Sequence, residues 1–220
     1  MAEKLSREQS SDALPQWRHL LQRMHLTVRA PDFAAALHFV DRVGQLAHEH
    51  DHHPDVDLRS DIVHLVLSSH DVDGITDRDV RLGLAIDEVV SELGLRPEVA
   101  TLTMVEIAVD ALDIEAVRPF WLAVLGYDEL GSQDLRDPLS ISPALWLQQM
   151  DEARPQRNRI HVDVTVAHDE AAGRIERALA AGGHIVSDEF APSWWVLSDV
   201  EGNEACVCTW QGRNPEAAVD

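Results

Sequence analysis

The chain is poor in cysteine, in positive charge and in long apolar runs. Its two cysteines, Cys206 and Cys208, would share one face of a strand, where they are poorly placed to form a disulfide. Lysine and arginine number 18 against 39 acidic residues, and the net charge of -21 repels phosphate backbones and anionic lipids. Neither nucleic-acid binding nor membrane binding is therefore expected. No stretch reaches the roughly 18 apolar residues of a membrane span, and residues 1–16 include no apolar signal segment, so the expected location is the reducing cytoplasm.

The remaining composition is that of a folded protein with room for two domains. Hydrophobic residues make up 45% of the 220 residues. Residues 95–101 contain Pro97 and have no hydrophobic periodicity, which indicates a boundary between domains at residues 1–96 and 101–213.

Helix and strand signals alternate in the first half. Asp32 is typical of an N-cap, and it precedes an amphipathic helix that Pro54 must end. The β-branched residues 62–69 predict a strand. Thr76 and Asp79 have the spacing of a capping box, which predicts that a second helix begins there.

The second half repeats a pattern of strand, helix and strand. Each copy has about 50 residues, which predicts an internally duplicated α+β domain. The predicted elements are a strand at 103–109, a helix at 113–125 and a strand at 144–150, then a strand at 160–166, a helix at 169–181 and strands at 194–197 and 204–210.

A dense histidine cluster, His48, His50, His52 and His53, follows the first helix. Three interpretations compete. The imidazoles could form a solvated helix end that interacts well with the helix dipole. They could bind a metal, although the cysteine and carboxylate spacing typical of zinc is lacking. They could also be part of an acid–base site, since imidazole titrates near neutral pH.

The acid–base interpretation gains a distant partner in His70. In a strand that begins at Ile62, His70 shares a face with His64, Val66 and Ser68 and sits at the strand's end. The 18 residues from His52 to His70 (70 − 52) leave enough chain to bring the two together. The sequence therefore predicts an acid–base site built from His52, His53 and His70.

These residues resemble the pterin-4a-carbinolamine dehydratase family. The resemblance spans about residues 5–93, and it implies an antiparallel sheet with helices on one face and a homo-oligomer, a dimer or tetramer, that needs no cofactor. It rests on Trp17, segments 32–37 and 39–43, His52-His53-Pro54-Asp55, Ser68-Ser69-His70-Asp71 and segment 74–79.

The resemblance implies a reaction and a role for each site residue. The substrate would be 4a-hydroxytetrahydropterin, which loses water to give quinonoid dihydropterin in tetrahydropterin recycling. His52 and His70 would transfer protons, His53 would bind or orient the pterin, and Asp79 would lie near the site, whether or not it also caps a helix. Further candidates for substrate contact are Asp55, Ser68, Ser69 and Asp71.

The chain departs from the family pattern at three positions. Val56 stands where the family has an aromatic residue, Ser60 where it has a tyrosine, and His48 where it has a glutamate. These changes concern the stacking of the pterin and the surroundings of the histidines, and they leave the proton-transfer residues in place.

The second half resembles the glyoxalase-like, or vicinal-oxygen-chelate, domains over about residues 101–212. The resemblance rests on Phe120-Trp121, Leu125-Gly126-Tyr127, segment 158–163 and segment 199–204. Metal enzymes of this fold would place ligands at Glu106, His161 and Cys206, with Glu204 two residues before the last and Gln148 or Gln149 nearest a fourth position. With Cys206 in place of the usual glutamate, a hydrogen-bonded pocket without metal is the favoured expectation.

Two other functions stay open at this point. The second domain could act as a metal-dependent lyase or oxygenase, or as a small-molecule binding protein. Alternatively, both domains could be non-catalytic and serve dimerisation or partner binding, since the dehydratase family includes dimerisation partners of a transcription factor.

Overall fold

The described part of the chain folds into two compact units. The computed structural model describes residues 3–98, 102–115, 118, 127–131, 133–152, 160–180, 183–198 and 204–213. One unit ends at Leu102, and the other runs from Thr103 to Gly212. No helix among these residues is both long enough and apolar enough to cross a bilayer.

The first unit contains three helices and five strands, and its helix starts follow the sequence signals. Asp32 accepts a hydrogen bond from the backbone N–H of Ala35, and Thr76 forms the expected capping box with Asp79. Both predicted N-caps are therefore confirmed. The elements are α1 (Arg7–Ala13), β1 (Arg18–Leu20), β2 (Arg23–Arg29), α2 (Phe33–Glu49), β3 (Asp55–Arg59), β4 (Ile62–Leu67), α3 (Asp77–Glu92) and β5 (Arg96–Pro97).

The strands of this unit form an antiparallel sheet with the helices packed on one face. The strand order is β1-β2-β4-β3, and β5 pairs with Val28 and Arg29, at the end of β2 that β1 does not reach. Alternate residues of β2 and β4 point into the core because a strand repeats every two residues. The helices cover this apolar face, which is the predicted architecture. The core consists mainly of Met24, Leu26, Val28, Val63, Leu65 and Leu67 from the sheet and Phe39, Val43, Leu82, Ile86 and Val90 from the helices.

The opposite face of this sheet carries a directional chain of hydrogen bonds through two histidines. His25 Nε2 lies 3.3 Å from the carbonyl oxygen of Leu20, which can only accept, so Nε2 carries the proton. His25 Nδ1 then accepts from His64 Nε2 at 3.2 Å, and His64 Nδ1 accepts from the Thr27 hydroxyl at 2.8 Å. Two neutral imidazoles therefore satisfy one another in a place where charged rings would repel.

The second unit is an eight-stranded mixed sheet with an internal repeat. Its order is β11-β12-β13-β10-β6-β9-β8-β7. The first strands of the two repeats, β6 and β10, pair antiparallel at the centre, and each pairs parallel with the last strand of its own repeat. The elements are β6 (Thr103–Ala111), β7 (Asp128–Leu130), β8 (Asp134–Arg136), β9 (Ala144–Gln149), β10 (Ile160–Val166), α4 (Ala171–Ala180), β11 (His184–Ser187), β12 (Trp194–Ser198) and β13 (Glu204–Cys208).

The predicted duplicated α+β domain is confirmed, and the structure has strands beyond the predicted ones. Each repeat has three strands after its helix position, and β7, β8 and β11 are strands that the sequence patterns did not predict. They are short, or lie where exposed and polar residues hide the alternation. Most of the helix predicted at 113–125, including Pro119, lies outside the described residues.

Two helical glycines give opposite expectations for the same substitution. A Cβ at Gly83 in α3 would lie 2.8 and 2.9 Å from the two terminal methyl carbons of buried Leu14, whereas a Cβ at Gly44 in α2 would meet nothing within 4 Å. We expect Gly44→Ala to raise the free energy of unfolding by about 0.5–1 kcal/mol through helix propensity. Gly83→Ala should lower it, because overpacking costs about 1–3 kcal/mol. Urea unfolding followed by far-UV circular dichroism measures both, and a stabilised Gly83→Ala protein would contradict the described packing.

The buried histidine pair predicts that the first unit loses stability in acid. Burial lowers the pKa of His25 to about 3, and the neighbouring His64 acts in the same direction. Below about pH 6.5, His25 therefore binds a proton in the unfolded chain but not in the folded chain. The free energy of unfolding falls as the pH falls. Between pH 6.5 and 5 we expect wild type to lose about 2 kcal/mol relative to His25→Gln.

Denaturant unfolding of both proteins at several pH values tests this. Asp87, whose burial raises its pKa to about 6, has the opposite effect in the same range, and the comparison with the variant cancels it. Exposed His50, changed to Gln, is the matched control and should leave the pH dependence of wild type unaltered. Parallel curves for wild type and His25→Gln would count against the neutral pair.

Candidate active site

An open cleft of about 480 Å³ lies where the end of α2 meets the loop that follows β4. His52, His53 and His70 all line this cleft. The structure thus brings together the two separate parts of the predicted histidine site.

His52 is anchored from behind by a buried carboxylate. It lies three residues beyond the end of α2, and its backbone N–H donates to the carbonyl of Ala47. Its side chain is nearly buried, and Nε2 lies 2.7 Å from Oδ1 of Asp79, a residue with no exposed surface. A carboxylate only accepts, so Nε2 of His52 carries the proton, and in the neutral ring Nδ1 is left as the basic nitrogen.

Asp79 stays ionised although it is buried. Burial on its own would raise the pKa of Asp79, but hydrogen bonds from His52, Ser69 and Thr76 outweigh it and hold the pKa below its ordinary value. Oδ2 accepts from the Ser69 hydroxyl at 2.7 Å and from the Thr76 backbone N–H at 2.8 Å, with the Thr76 hydroxyl at 3.3 Å. One oxygen therefore serves the helix cap and the other serves His52.

His70 and His53 are exposed, in contrast to His52. His70 follows Ser69, whose N–H and C=O both bond to Gly74 and so close a tight loop. The predicted strand extends only to Leu67, since the chain turns at this point to bring His70 to the cleft. An exposed imidazole can exchange protons with solvent, which a buried one does slowly.

An ion pair that the sequence patterns did not predict also lines the cleft. Arg78 Nη2 contacts Oδ1 of Asp71, and the Arg78 hydrogen bond holds the pKa of Asp71 below its ordinary value. Arg78 lies in the first turn of α3, immediately before Asp79. A spacing rule could not reveal this contact, because most of the six residues between Asp71 and Arg78 lie in an irregular loop.

The other predicted contact residues occupy different positions. Asp55 begins β3 at the edge of the cleft and lies 3.4 Å from Arg23. Ser69 lines the cleft but is buried, and its hydroxyl is bound to Asp79. Ser68 is buried and is not one of the residues that line the cleft.

The three departures from the family pattern lie outside the residues that line this cleft. Ser60 occupies the β3–β4 turn, with a positive φ of 56°, at the end of the hairpin remote from Asp55. Val56 is 43% exposed on the edge strand β3, and His48 is exposed in the last turn of α2.

One face of the second sheet is polar. Alternate residues on its strands divide between an apolar face, which packs against other elements, and a face that includes Glu106, Asp110, Asp163 and Cys206. Asp163 pairs in register with Glu106 on one side and with Cys206 on the other. The residue directly between the two predicted ligands is therefore Asp163.

The remaining predicted ligand positions give no metal centre in the part of the chain that is described. His161 pairs with Ala108, two positions along β10 from Asp163, and its side chain lies outside the described residues, as does that of Glu204. Gln148 pairs with Asp110, whereas Gln149 bonds to backbone carbonyls at the end of β6. Within the described residues, no three histidine, cysteine or acidic side chains form a group that could hold an ion, and Cys206 and Cys208 are not in a disulfide.

Comparisons with solved structures give only low overall similarity. A transcriptional coactivator/pterin dehydratase from Brucella melitensis is 21% identical with a TM-score of 0.38, over 40% of this chain and 98% of its own. A glyoxalase/bleomycin resistance protein/dioxygenase superfamily member from Vibrio splendidus is 16% identical with a TM-score of 0.34, over 49% of this chain and 99% of its own.

Sequence comparisons are far more specific. The profile of pterin 4 alpha carbinolamine dehydratase matches residues 3–89, and that of a glyoxalase-like domain matches residues 106–208. A Nocardia farcinica protein with a provisional pterin-4-alpha-carbinolamine dehydratase name is 42% identical over 90 residues, which are 40% of this chain and 95% of that protein. An Acidobacterium capsulatum protein with the same provisional name is 36% identical over 38% of this chain and 90% of its own length. Through residues 3–89 the chain belongs to the pterin-4a-carbinolamine dehydratase family, and a glyoxalase-like domain at residues 106–208 is joined to it.

Proposed function

We propose that this protein dehydrates 4a-hydroxytetrahydropterin to quinonoid dihydropterin by histidine acid–base catalysis. The observation that carries the proposal is that His52, backed by ionised Asp79, lines the same cleft as His70 and His53. Family membership supplies the substrate class. The reaction would return an oxidised pterin to the pool from which tetrahydropterin is regenerated.

The reaction needs one acid and one base. The acid protonates the 4a-hydroxyl so that the C4a–O bond breaks and water leaves. The base removes the proton from N5, and the N–H electron pair becomes the C4a=N5 double bond. One proton is given and one is taken, so the enzyme needs no external oxidant, reductant or net proton source.

The surroundings of His52 and His70 favour His52 as the base and His70 as the acid. His52 has its proton fixed on Nε2 by Asp79, so Nδ1 is available as the base, and the carboxylate stabilises the imidazolium that forms. His70 is exposed and can be reloaded by solvent, which suits the acid. His53 is adjacent and exposed, and is placed to orient the pterin.

A second candidate function concerns the second unit. Its polar sheet face holds buried Asp110, Asp163 and Thr165, and a few buried polar side chains of this kind can fix the orientation of a small polar ligand. This unit would then bind a ligand, with or without relation to the pterin, without a resident metal.

Loss of either proton-transfer histidine should abolish most of the catalysis. We expect His52→Ala and His70→Ala to lower kcat/KM by about 10²–10⁴-fold, the usual contribution of a general acid or base. The measurement is stopped-flow decay of freshly prepared 4a-hydroxytetrahydropterin against the spontaneous rate in buffer.

His50→Ala is the control for this experiment, because His50 is an exposed member of the same histidine cluster and does not line the cleft. It should retain wild-type rates. A wild-type protein that does not exceed the buffer rate would overturn the proposed function, and so would full activity in both histidine variants.

Metal analysis tests the second unit. Protein purified without chelator should contain only substoichiometric zinc and iron, since Cys206 stands where metal enzymes of this fold usually have a glutamate ligand. Inductively coupled plasma mass spectrometry measures this directly. A stoichiometric metal that disappears in His161→Ala would show instead that this unit is a metal centre.

A further inference from the structure

Ser69 connects the two proposed proton-transfer histidines of the cleft, His52 and His70. Ser69 is adjacent to His70 in the chain, and its hydroxyl donates to the carboxylate that holds His52. A single residue thus connects the loop of one proton-transfer group to the anchor of the other.

The hydrogen-bond partners of Ser69 leave its hydroxyl no proton to donate to a substrate. Ser69 is 1% exposed. Its one proton is directed to Asp79 Oδ2 at 2.7 Å, and the Thr76 hydroxyl, 2.8 Å away, can donate to the oxygen of Ser69. The Ser69 hydroxyl is therefore better placed to hold Asp79 than to donate to a substrate.

The backbone of Ser69 is also fixed. Its N–H donates to the carbonyl of Gly74 at 2.8 Å, and its carbonyl accepts from the Gly74 N–H at 3.4 Å. This pair of bonds closes the loop that carries His70. The side chain of Ser69 meets Asp79, while His70, the next residue, faces the cleft.

We propose that Ser69 is a positioning residue that acts through Asp79, keeping that carboxylate ionised and directed at His52 and fixing the loop of His70 relative to it. The inference rests on the proposed dehydratase function and deepens it. Charged hydrogen bonds of this kind are about twice as strong as neutral ones. Without the Ser69 donor, Asp79 Oδ2 would retain only Thr76, the carboxylate would accept a proton at higher pH, and His52 would lose its fixed tautomer.

The test compares Ser69→Ala, Ser69→Cys and Ser69→Thr in the full chain. Ala removes the donor, Cys keeps the size with a weak donor, and Thr keeps the hydroxyl. For Ala and Cys we expect kcat to fall about tenfold with KM unchanged, and the acidic limb of the kcat pH profile to move to higher pH. Thr should restore both. Two loss variants and one rescue keep the experiment decisive if one of them folds poorly.

Ser10→Ala is the matched control. Ser10 is as fully buried as Ser69, and its hydroxyl bonds to His19 at 2.9 Å, a histidine that does not line the cleft. It should cost stability but leave kcat and the pH profile unchanged. A Ser69→Ala protein with raised KM and unchanged kcat would show that Ser69 binds substrate, and an unmoved pH profile would show a purely structural role. Either result overturns the proposal.

A measurement that does not depend on turnover separates this inference from the proposed function. The Nε2 proton of His52, shared with a buried carboxylate, should give a protected ring N–H signal in ¹H–¹⁵N spectra of wild type and Ser69→Thr. As the pH is lowered, that signal should disappear at a higher pH in Ser69→Ala than in wild type. If wild type shows no dehydratase activity but the signal behaves as expected, only the proposed function fails; an identical signal in Ser69→Ala refutes the positioning role.

Discussion

Asp79 is a carboxylate with no exposed surface, and the geometry of the first unit around it follows from the need to satisfy that charge. An unpaired buried carboxylate would be several kcal/mol too costly to keep. Here Oδ2 takes donors from the N-terminus of α3 and from the residue after β4, and Oδ1 takes the donor of His52 beyond α2. Three separate segments are therefore fixed to one another by a single charged group. The same contacts that satisfy the charge decide which nitrogen of His52 carries the proton, so the helix cap and the acid–base site share one carboxylate.

Much of this could be predicted because the controlling signals are local. The capping box of Thr76 and Asp79 and the N-cap at Asp32 depend on spacing within one turn, and the structure has both. The grouping of His52, His53 and His70 was predicted from the position of His70 at the strand's end and the length of the intervening chain, and the structure brings them to one cleft. The homo-oligomer stays a prediction.

The contacts that the sequence did not predict depend on where a side chain points or on the register between paired strands. The side chain of Ser69 bonds to Asp79 beyond the end of the strand at Leu67, and no periodicity shows where a strand will end or which partner a side chain beyond it will have. Arg78 reaches Asp71 across an irregular loop. In the second unit, the row from Glu106 to Cys206 passes through Asp163 because β10 pairs with both neighbours at that residue. A shift of two residues in a strand keeps the face and changes the neighbour, so the sequence pattern that gives the face correctly leaves the partner undetermined.

The histidines show why residue type alone says little about function. Of the chain's 12 histidines, His25 is buried on the sheet and stays neutral because burial lowers its pKa and the neighbouring His64 acts in the same direction. His52 is almost as deeply buried, yet its partner is an anion, and an anion stabilises the protonated ring that the chemistry must form. Burial beside a neutral acceptor makes an imidazole structural, whereas burial beside a carboxylate prepares it to take a proton. Asp79 and its other hydrogen-bond donors make this distinction. The number of histidines in the sequence does not reveal it.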